Sequence, residues 1–225
     1  MALHNDMTPH NESWPTLPSL PPLLGPTVPT IGHRFFIHSP STILKLGTDD
    51  GEGIMTALAH SILGPCVPRV VSVVTISSIA SNALTPTRAQ QGLVLTQQPG
   101  MPLVELWPSL TTSQRQTVKA KLCHLLMHMR ARHFAYSDDS RVRALHASAP
   151  DTERAVALER VQRGTTGVGG WNRPVLAHGD LSDRNILVDR HTLAVTGFLD
   201  WEMANIMPAY FEYIEARLSE GHQPE

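Results

Sequence analysis

The sequence LAHGDLSDRNILVDRHTLAVTGFLDWE, residues 176–202, decides the fold prediction. It contains two short apolar runs, at 185–188 and 195–199, and the polar segment Asp189-Arg-His191 lies between them. Apolar runs on either side of a polar turn are typical of a β-hairpin. We therefore expect a short hairpin in this part of the chain.

Three polar side chains flank the predicted hairpin. Asp180 precedes its first strand, Asn185 begins that strand, and Asp200 follows the second strand. Folding of the hairpin brings the three side chains to one end. Mg²⁺ binds one or two carboxylates and fills its other positions with water and phosphate oxygens. The pattern therefore predicts a magnesium site next to a phosphate-bearing ligand.

The spacing of this segment resembles a known family. His178-Gly-Asp180, followed by Asn185 and then by Asp200-Trp201-Glu202, is similar to the catalytic loop and metal-binding segment of the protein-kinase superfold. It most resembles the small-molecule branch, the aminoglycoside phosphotransferase and choline kinase-like family, and within that branch its fungal members. The resemblance implies an α+β, two-lobed fold with a small antiparallel sheet, a mainly helical second lobe and a reduced C-terminal part.

The resemblance also implies roles for these residues. Asp180 would be the catalytic base that orients the acceptor hydroxyl. Asn185 and Asp200 would hold Mg²⁺ against the phosphates of ATP. His178 would be structural and would bond the backbone near Asp200.

Two charged residues in the first half of the chain extend the match. Lys45 lies in a predicted strand between Leu44 and Leu46, and in the family this lysine contacts the α- and β-phosphates. Without the motif above, it would be an ordinary exposed strand lysine. Glu52 lies in the first turn of a predicted helix, where the family has a glutamate that pairs with that lysine. A capping carboxylate favoured by the helix dipole is an equally good and compatible interpretation.

The segment Thr96-Gln-Gln-Pro-Gly100 corresponds to the hinge between the lobes. In the family, backbone groups of the hinge contact the adenine edge. Thr96 and Gln98 are therefore candidate nucleotide contacts, on the strength of their position rather than of their side-chain chemistry.

A helix is expected over 112–133, because Thr111 and Gln114 form a capping box and an apolar stripe follows. His124, His128 and His133 are interpreted as polar-face or packing residues, since no further ligand pattern supports zinc. The glycine run at 164–170 follows a predicted helix and lacks Gly-Lys-Ser/Thr. The pattern therefore predicts a flexible connector rather than a phosphate-binding loop.

The chain divides into four predicted parts. Residues 1–30 form a Pro-rich arm, extended or disordered; 31–98 form the first lobe; 99–218 form the second lobe; and 219–225 form a polar tail. The 18 Lys and Arg residues nearly balance the 20 Asp and Glu residues, so the net charge gives no sign of a nucleic-acid or membrane partner. With two cysteines, no long apolar run and no secretory signal pattern, a cytoplasmic location is expected. The oligomeric state stays open.

The sequence therefore predicts an ATP- and Mg²⁺-dependent phosphotransferase acting on a hydroxyl of a small metabolite, whose identity it does not give. One alternative is a pseudokinase, a binding or scaffold protein, because no glycine-rich loop precedes Lys45 and the acceptor side is short. A second is a metal-dependent phosphoesterase, whose signature Gly179–Arg184 resembles. That chemistry needs an Asp-x-His upstream and a Gly-Asn-His downstream, and the sequence has neither.

Overall fold

The computed structural model describes residues 16–17, 34–48, 50–76, 90–132, 134 and 173–212. Several predictions fall outside these residues. They concern the helix expected at 151–163, the glycine run at 164–170, His133 and the polar tail at 219–225. Most of the chain ahead of Lys45 that would carry a phosphate loop, residues 18–33, also lies outside them.

The first half of the chain forms a five-stranded sheet with strand order β1-β4-β5-β3-β2. Neighbouring strands are antiparallel except β1 and β4, which are parallel. β-branched and aromatic residues in these strands favour a pleated sheet with one buried face. The strands are β1 Thr16–Leu17, β2 Arg34–Ser39, β3 Thr42–Leu46, β4 Val70–Ile76 and β5 Gln90–Thr96.

The Pro-rich arm supplies one element of this sheet. Thr16 and Leu17 pair with Thr75 and Ile76 at the sheet edge. Proline lacks a backbone N–H, and Pro15 and Pro18 flank this pair of residues in the sequence. An edge position suits such a strand.

The first helix, α1 (Asp50–Leu63), follows β3 and ends in a short 3₁₀ helix, Gly64–Cys66. Gly64 has φ +61°, a conformation that favours glycine. The Gly64-Pro65 pair therefore marks the end of α1. Buried Met55, Ala59 and Leu63 of α1 belong to the largest apolar core, which they share with the second half of the chain.

After the hinge the chain forms strand β6 (Met101–Pro102), helix α2 (Leu103–Leu106) and a 3₁₀ turn, Trp107–Ser109. Helix α3 (Thr112–Ala131) then begins with the predicted capping box, in which Thr111 and Gln114 exchange hydrogen bonds. Its apolar stripe contributes Val118 and Met129 to the core.

The predicted hairpin is present. Strands β8 (Ile186–Val188) and β9 (Val195–Phe198) pair antiparallel, and β6 adds a third strand to them. Asp189 accepts hydrogen bonds from the amides of His191 and Thr192 and closes the turn. These bonds lower the pKa of Asp189 below its ordinary value. A second ribbon pairs β7 (Pro174–Ala177) with β10 (Asn205–Pro208).

The α+β, kinase-like fold is thus confirmed. Because one core contains residues of α1, α3 and the hairpin, it fixes the sheet lobe against the segment that carries Asp180 and Asp200. The exact lobe boundary at 98/99 remains a prediction. In the part of the chain described, no helix is long and apolar enough to cross a membrane.

Candidate active site

Lys45 lies at the centre of the candidate site. Its Nζ is 2.7 Å from Glu52 Oε1 and 2.6 Å from Asp200 Oδ1. β3 supplies the lysine, α1 the glutamate, and the segment after β9 the aspartate. The ion pair predicted between Lys45 and Glu52 is therefore present, and Lys45 also bridges the two halves of the chain.

The ion pair of Lys45 with Glu52 is buried, because both residues are at most 2% exposed. Burial by itself lowers the pKa of Lys45, but the charges of Glu52 and Asp200 and their hydrogen bonds outweigh it. The pKa of Lys45 is raised above its ordinary value as a result. The lysine is thus a fixed positive charge at neutral pH. Removing one partner of a buried ion pair typically costs about 3–5 kcal/mol, so variants at Lys45 or Glu52 would confound activity with folding.

The loop after β7 presents Asp180. Asn185 Nδ2 donates to the Asp180 backbone oxygen and to Asp180 Oδ2, both at 3.0 Å. Arg184 Nη2 also donates to Oδ2, at 2.7 Å. Because the Asn185 amide nitrogen is engaged with Asp180, the oxygen of that amide is left for another ligand.

His178 connects this loop to the segment that carries Asp200. Its Nε2 is 2.8 Å from the backbone oxygen of Leu199, and the backbone N–H of Asp180 donates to its Nδ1 at 3.3 Å. A carbonyl requires a donor and an N–H requires an acceptor, so these contacts assign the neutral Nε2–H tautomer. The predicted bond from His178 to the backbone near Asp200 is thus present.

Asp200 adopts φ +65°, which is uncommon for a residue with a side chain. The neighbouring Trp201 stabilises this turn. It is buried, and its Nε1 donates to the backbone oxygen of Phe198 at 2.9 Å. Its ring also contacts His178, with ring centroids 4.6 Å apart. The backbone N–H of Leu199 donates to the backbone carbonyl oxygen of Asn185 at 2.8 Å, which holds the segment before Asp200 next to Asn185.

Sequence reasoning did not assign a role to Glu212. This buried residue accepts a hydrogen bond from the backbone N–H of His178 at 2.6 Å through Oε2. It therefore anchors the start of the loop from the far end of the described chain. Its sequence signal is the Pro-x-Tyr-x-Glu-Tyr pattern at residues 208–213, which is typical of a helix start.

Several polar groups of the hinge already have hydrogen-bond partners within the protein. The Thr96 amide donates to the Arg69 oxygen and the Gln97 amide to the Ser41 oxygen. The Thr96 hydroxyl accepts from the Arg69 amide. With its amide oriented to use both carbonyls, the Gln98 side chain donates to Pro65 and Thr196. Nucleotide contacts by Thr96 and Gln98 therefore remain predictions.

The histidines of α3 lie elsewhere. His124 and His128 are exposed. Within the ranges that the structure describes, no three His, Cys, Asp or Glu side chains are grouped as a metal site. A metal at Asn185 and Asp200 would thus need ligands besides the protein, as water and phosphate oxygens provide for Mg²⁺.

Gly179 is required by its surroundings. It has φ +81°, and a Cβ there would overlap the backbone carbonyl of Met203. We expect Gly179→Ala to lower the free energy of unfolding by at least about 2 kcal/mol, because left-handed backbone alone costs about 1–2 kcal/mol in an L-residue. Gly64→Ala is the matched control, since Gly64 also has positive φ but open space around it. Equal losses in urea denaturation would contradict the steric argument.

Burial lowers the pKa of His178 to about 4, although its bond to Leu199 and nearby carboxylates oppose the shift. Since histidine in an unfolded chain titrates near 6.5, the unfolded state binds the extra proton between these two pH values. Stability should therefore fall on acidification, by about 2 kcal/mol at pH 5. His178→Gln should lack this component. Urea denaturation of both proteins at pH 7.5 and pH 5 measures the contribution of His178 to the free energy of unfolding. Identical pH dependences of the two proteins would contradict the prediction.

A sequence model of the phosphotransferase enzyme family matches residues 54–217. That range includes all four candidate residues of the second half of the chain: His178, Asp180, Asn185 and Asp200. No curated protein sequence matches the chain significantly.

Solved structures of antibiotic phosphotransferases share the fold, each with a TM-score of 0.50. An aminoglycoside-3'-phosphotransferase of type VIII is 20% identical, with 88% of this chain and 77% of that chain covered. The aminoglycoside phosphotransferase APH(3'')-Id from Streptomyces rimosus is 16% identical, with 86% and 78% covered. The GDP complex of an aminoglycoside 2'-phosphotransferase-IIIa variant is 14% identical, with 91% and 72% covered.

Proposed function

Because the chain belongs to the phosphotransferase enzyme family, we propose that it transfers the γ-phosphate of ATP, with Mg²⁺, to a hydroxyl of a small metabolite. The observation that carries the proposal is the double contact of Lys45 with Glu52 and Asp200. It joins a candidate phosphate-binding cation to a candidate metal ligand. Asp180 lies on a loop that His178 ties to the same segment.

The donor groups fit Mg²⁺. Lys45 contacts Oδ1 of Asp200, which leaves Oδ2 for a metal, and the Asn185 amide offers its oxygen. Both are hard oxygen ligands, and two of them suit an ion that retains water and phosphate oxygens. When bound, Mg²⁺ would neutralise charge on the phosphate oxygens and orient them.

Phosphoryl transfer asks the protein mainly for positioning and charge. In the proposed function, Lys45 contacts the nucleotide phosphates, and Glu52 keeps its ammonium group in place. Asp180 accepts a hydrogen bond from the acceptor hydroxyl and takes up its proton. His178 and Glu212 fix the loop that carries Asp180.

The names of the similar structures guide the choice of substrates. Aminoglycosides and GDP appear in those names, so both a hydroxylated small-molecule acceptor and a guanine nucleotide belong in the test. ATP is the proposed donor and GTP the comparison. A cytoplasmic site of action completes the proposal.

Calorimetry with ATP and with GTP, each with and without Mg²⁺, tests nucleotide binding. A screen of hydroxylated metabolites, including choline and kanamycin, with ADP release as the readout, tests transfer. Mg²⁺-dependent binding with turnover of one acceptor class is the expected result. Binding without turnover of any acceptor or of water would favour the pseudokinase alternative, and phosphoester hydrolysis without nucleotide would favour the phosphoesterase.

A further inference from the structure

Arg184 makes a contact that the proposed function does not use. Its Nη2 lies 2.7 Å from Asp180 Oδ2, the oxygen that also accepts the Asn185 amide. Both side-chain hydrogen bonds that the described residues donate to the carboxylate therefore go to one oxygen. The other oxygen, Oδ1, is left for a ligand.

The exposure of the pair argues against a role in folding. The Arg184 side chain is 65% exposed, and that of Asp180 is 26% exposed. Exposed ion pairs four residues apart contribute little to stability, because water screens them and both side chains lose freedom. Asp180 is in any case anchored through its backbone by Asn185 and His178. Arg184 can therefore be replaced without expected loss of the fold.

We propose, on the basis of the proposed function, that Arg184 is a positioning residue for Asp180. It fixes Oδ2 and thereby presents Oδ1 to the acceptor hydroxyl. It also places a positive charge next to a carboxylate that must approach the negatively charged γ-phosphate. Among the residues that the structure describes, Asp180 is the carboxylate that Arg184 contacts.

Arg184 supports a step in which one bond forms and one bond breaks at the γ-phosphorus. The hydroxyl oxygen forms a bond to the γ-phosphorus, while the bond from that phosphorus to the bridging oxygen breaks. The electron pair of the broken bond leaves with ADP, and the hydroxyl proton passes to Oδ1 of Asp180. Arg184 remains bound to Oδ2 throughout, so a rotation of the carboxylate cannot withdraw Oδ1.

The expected fall in kcat is electrostatic in origin. A carboxylate and a phosphate that approach each other repel, because both carry negative charge and little solvent lies between them. A neighbouring guanidinium offsets most of this repulsion. Removing it should therefore lower kcat by about 10–100-fold. The affinity for Mg²⁺-ATP should be nearly unchanged, because no nucleotide contact is removed.

The test is a double-mutant cycle, with Mg²⁺-ATP and either the best acceptor or water as the probe. Arg184→Gln should lower kcat about 10–100-fold in the wild-type background and less than about 3-fold in an Asp180→Asn background. Arg184→Lys should recover part of the activity, since it keeps the charge. Arg190→Gln, an exposed arginine in the hairpin turn, is the control and should leave kcat unchanged. Thermal melting checks that each variant is folded.

Two results would overturn the proposal: an equal loss in both backgrounds, or a loss that appears in KM for ATP rather than in kcat. If wild-type protein binds Mg²⁺-ATP without any turnover, the proposed function fails. The contact between Arg184 and Asp180 is then tested by NMR. The guanidinium NMR signals of ¹⁵N-arginine-labelled protein should shift on Asp180→Asn. Unchanged signals would show that Arg184 does not contact Asp180 in solution.

Discussion

Asp180→Asn is expected to lower turnover by about 10²–10⁴-fold, the usual contribution of a positioned general base. The substitution keeps the size of the side chain and an oxygen that can accept from Asn185 and Arg184. It removes the negative charge that takes up the hydroxyl proton. Affinity for Mg²⁺-ATP should change little, because Lys45, Asn185 and Asp200 are intact. Steady-state kinetics and calorimetry on the same protein measure the two quantities.

Asp183→Asn is the matched control for this prediction. Asp183 is an exposed carboxylate in the same loop, three residues along, and replacing it removes the same charge. If Asp180 only stabilises the loop, Asp180→Asn should lower the melting temperature without changing turnover. A loss of turnover of the same size in both variants would point to the general electrostatics of the loop instead of a base at Asp180.

Local sequence patterns predicted the elements that depend on residues close together in the chain. The hairpin of β8 and β9 followed from its polar turn, where Asp189 closes the loop by accepting backbone N–H groups. The N-terminus of α3 followed from Thr111 and Gln114, whose reciprocal bonds join residues only three positions apart. The pairing of Lys45 with Glu52 came from the family resemblance, since seven residues and a change of element separate them.

Long-range pairing was not predictable from such patterns. β7 and β10 pair across about thirty residues, and each has only four residues, too few to display a period. The bond from Glu212 to His178 spans 34 positions and joins a helix start to a loop. The contact of Lys45 with Asp200 spans 155 positions. Packing of the shared core brings these segments together. The three contacts are therefore visible only in the tertiary structure.

The backbone of Asp200 indicates that its side chain is placed at a cost. Residues held at positive φ without being glycine typically store about 1–3 kcal/mol of strain, and such strain is common at functional sites. Here Trp201 and the bond from Leu199 to Asn185 maintain the turn from both sides. Glycine would relieve the strain fully, whereas aspartate, like asparagine, only tolerates this conformation better than most residues. The presence of aspartate therefore suggests that its carboxylate is needed.

Asp200→Gly is accordingly expected to abolish turnover, by about 10³-fold or more, while relief of the backbone strain offsets part of the stability that is lost with the Lys45 contact. Loss of a metal ligand removes several kcal/mol of charge stabilisation from the transition state, and about 4 kcal/mol corresponds to 10³-fold in rate. The removal of strain acts in the opposite direction on stability. Lys45 keeps Glu52 as its partner, so the buried ion pair survives. Mg²⁺ should no longer strengthen ATP binding, while binding of metal-free ATP persists.

Asp200→Ala separates backbone from carboxylate. It lacks the carboxylate as glycine does, but it retains a Cβ at φ +65° and should be less stable than the glycine variant by about 1 kcal/mol. If both variants lose turnover and Mg²⁺-dependent ATP binding alike, the loss belongs to the carboxylate and not to the turn. If Asp200→Gly retains Mg²⁺-dependent turnover, Asp200 is not a metal ligand, and its conformation serves only to present Oδ1 to Lys45.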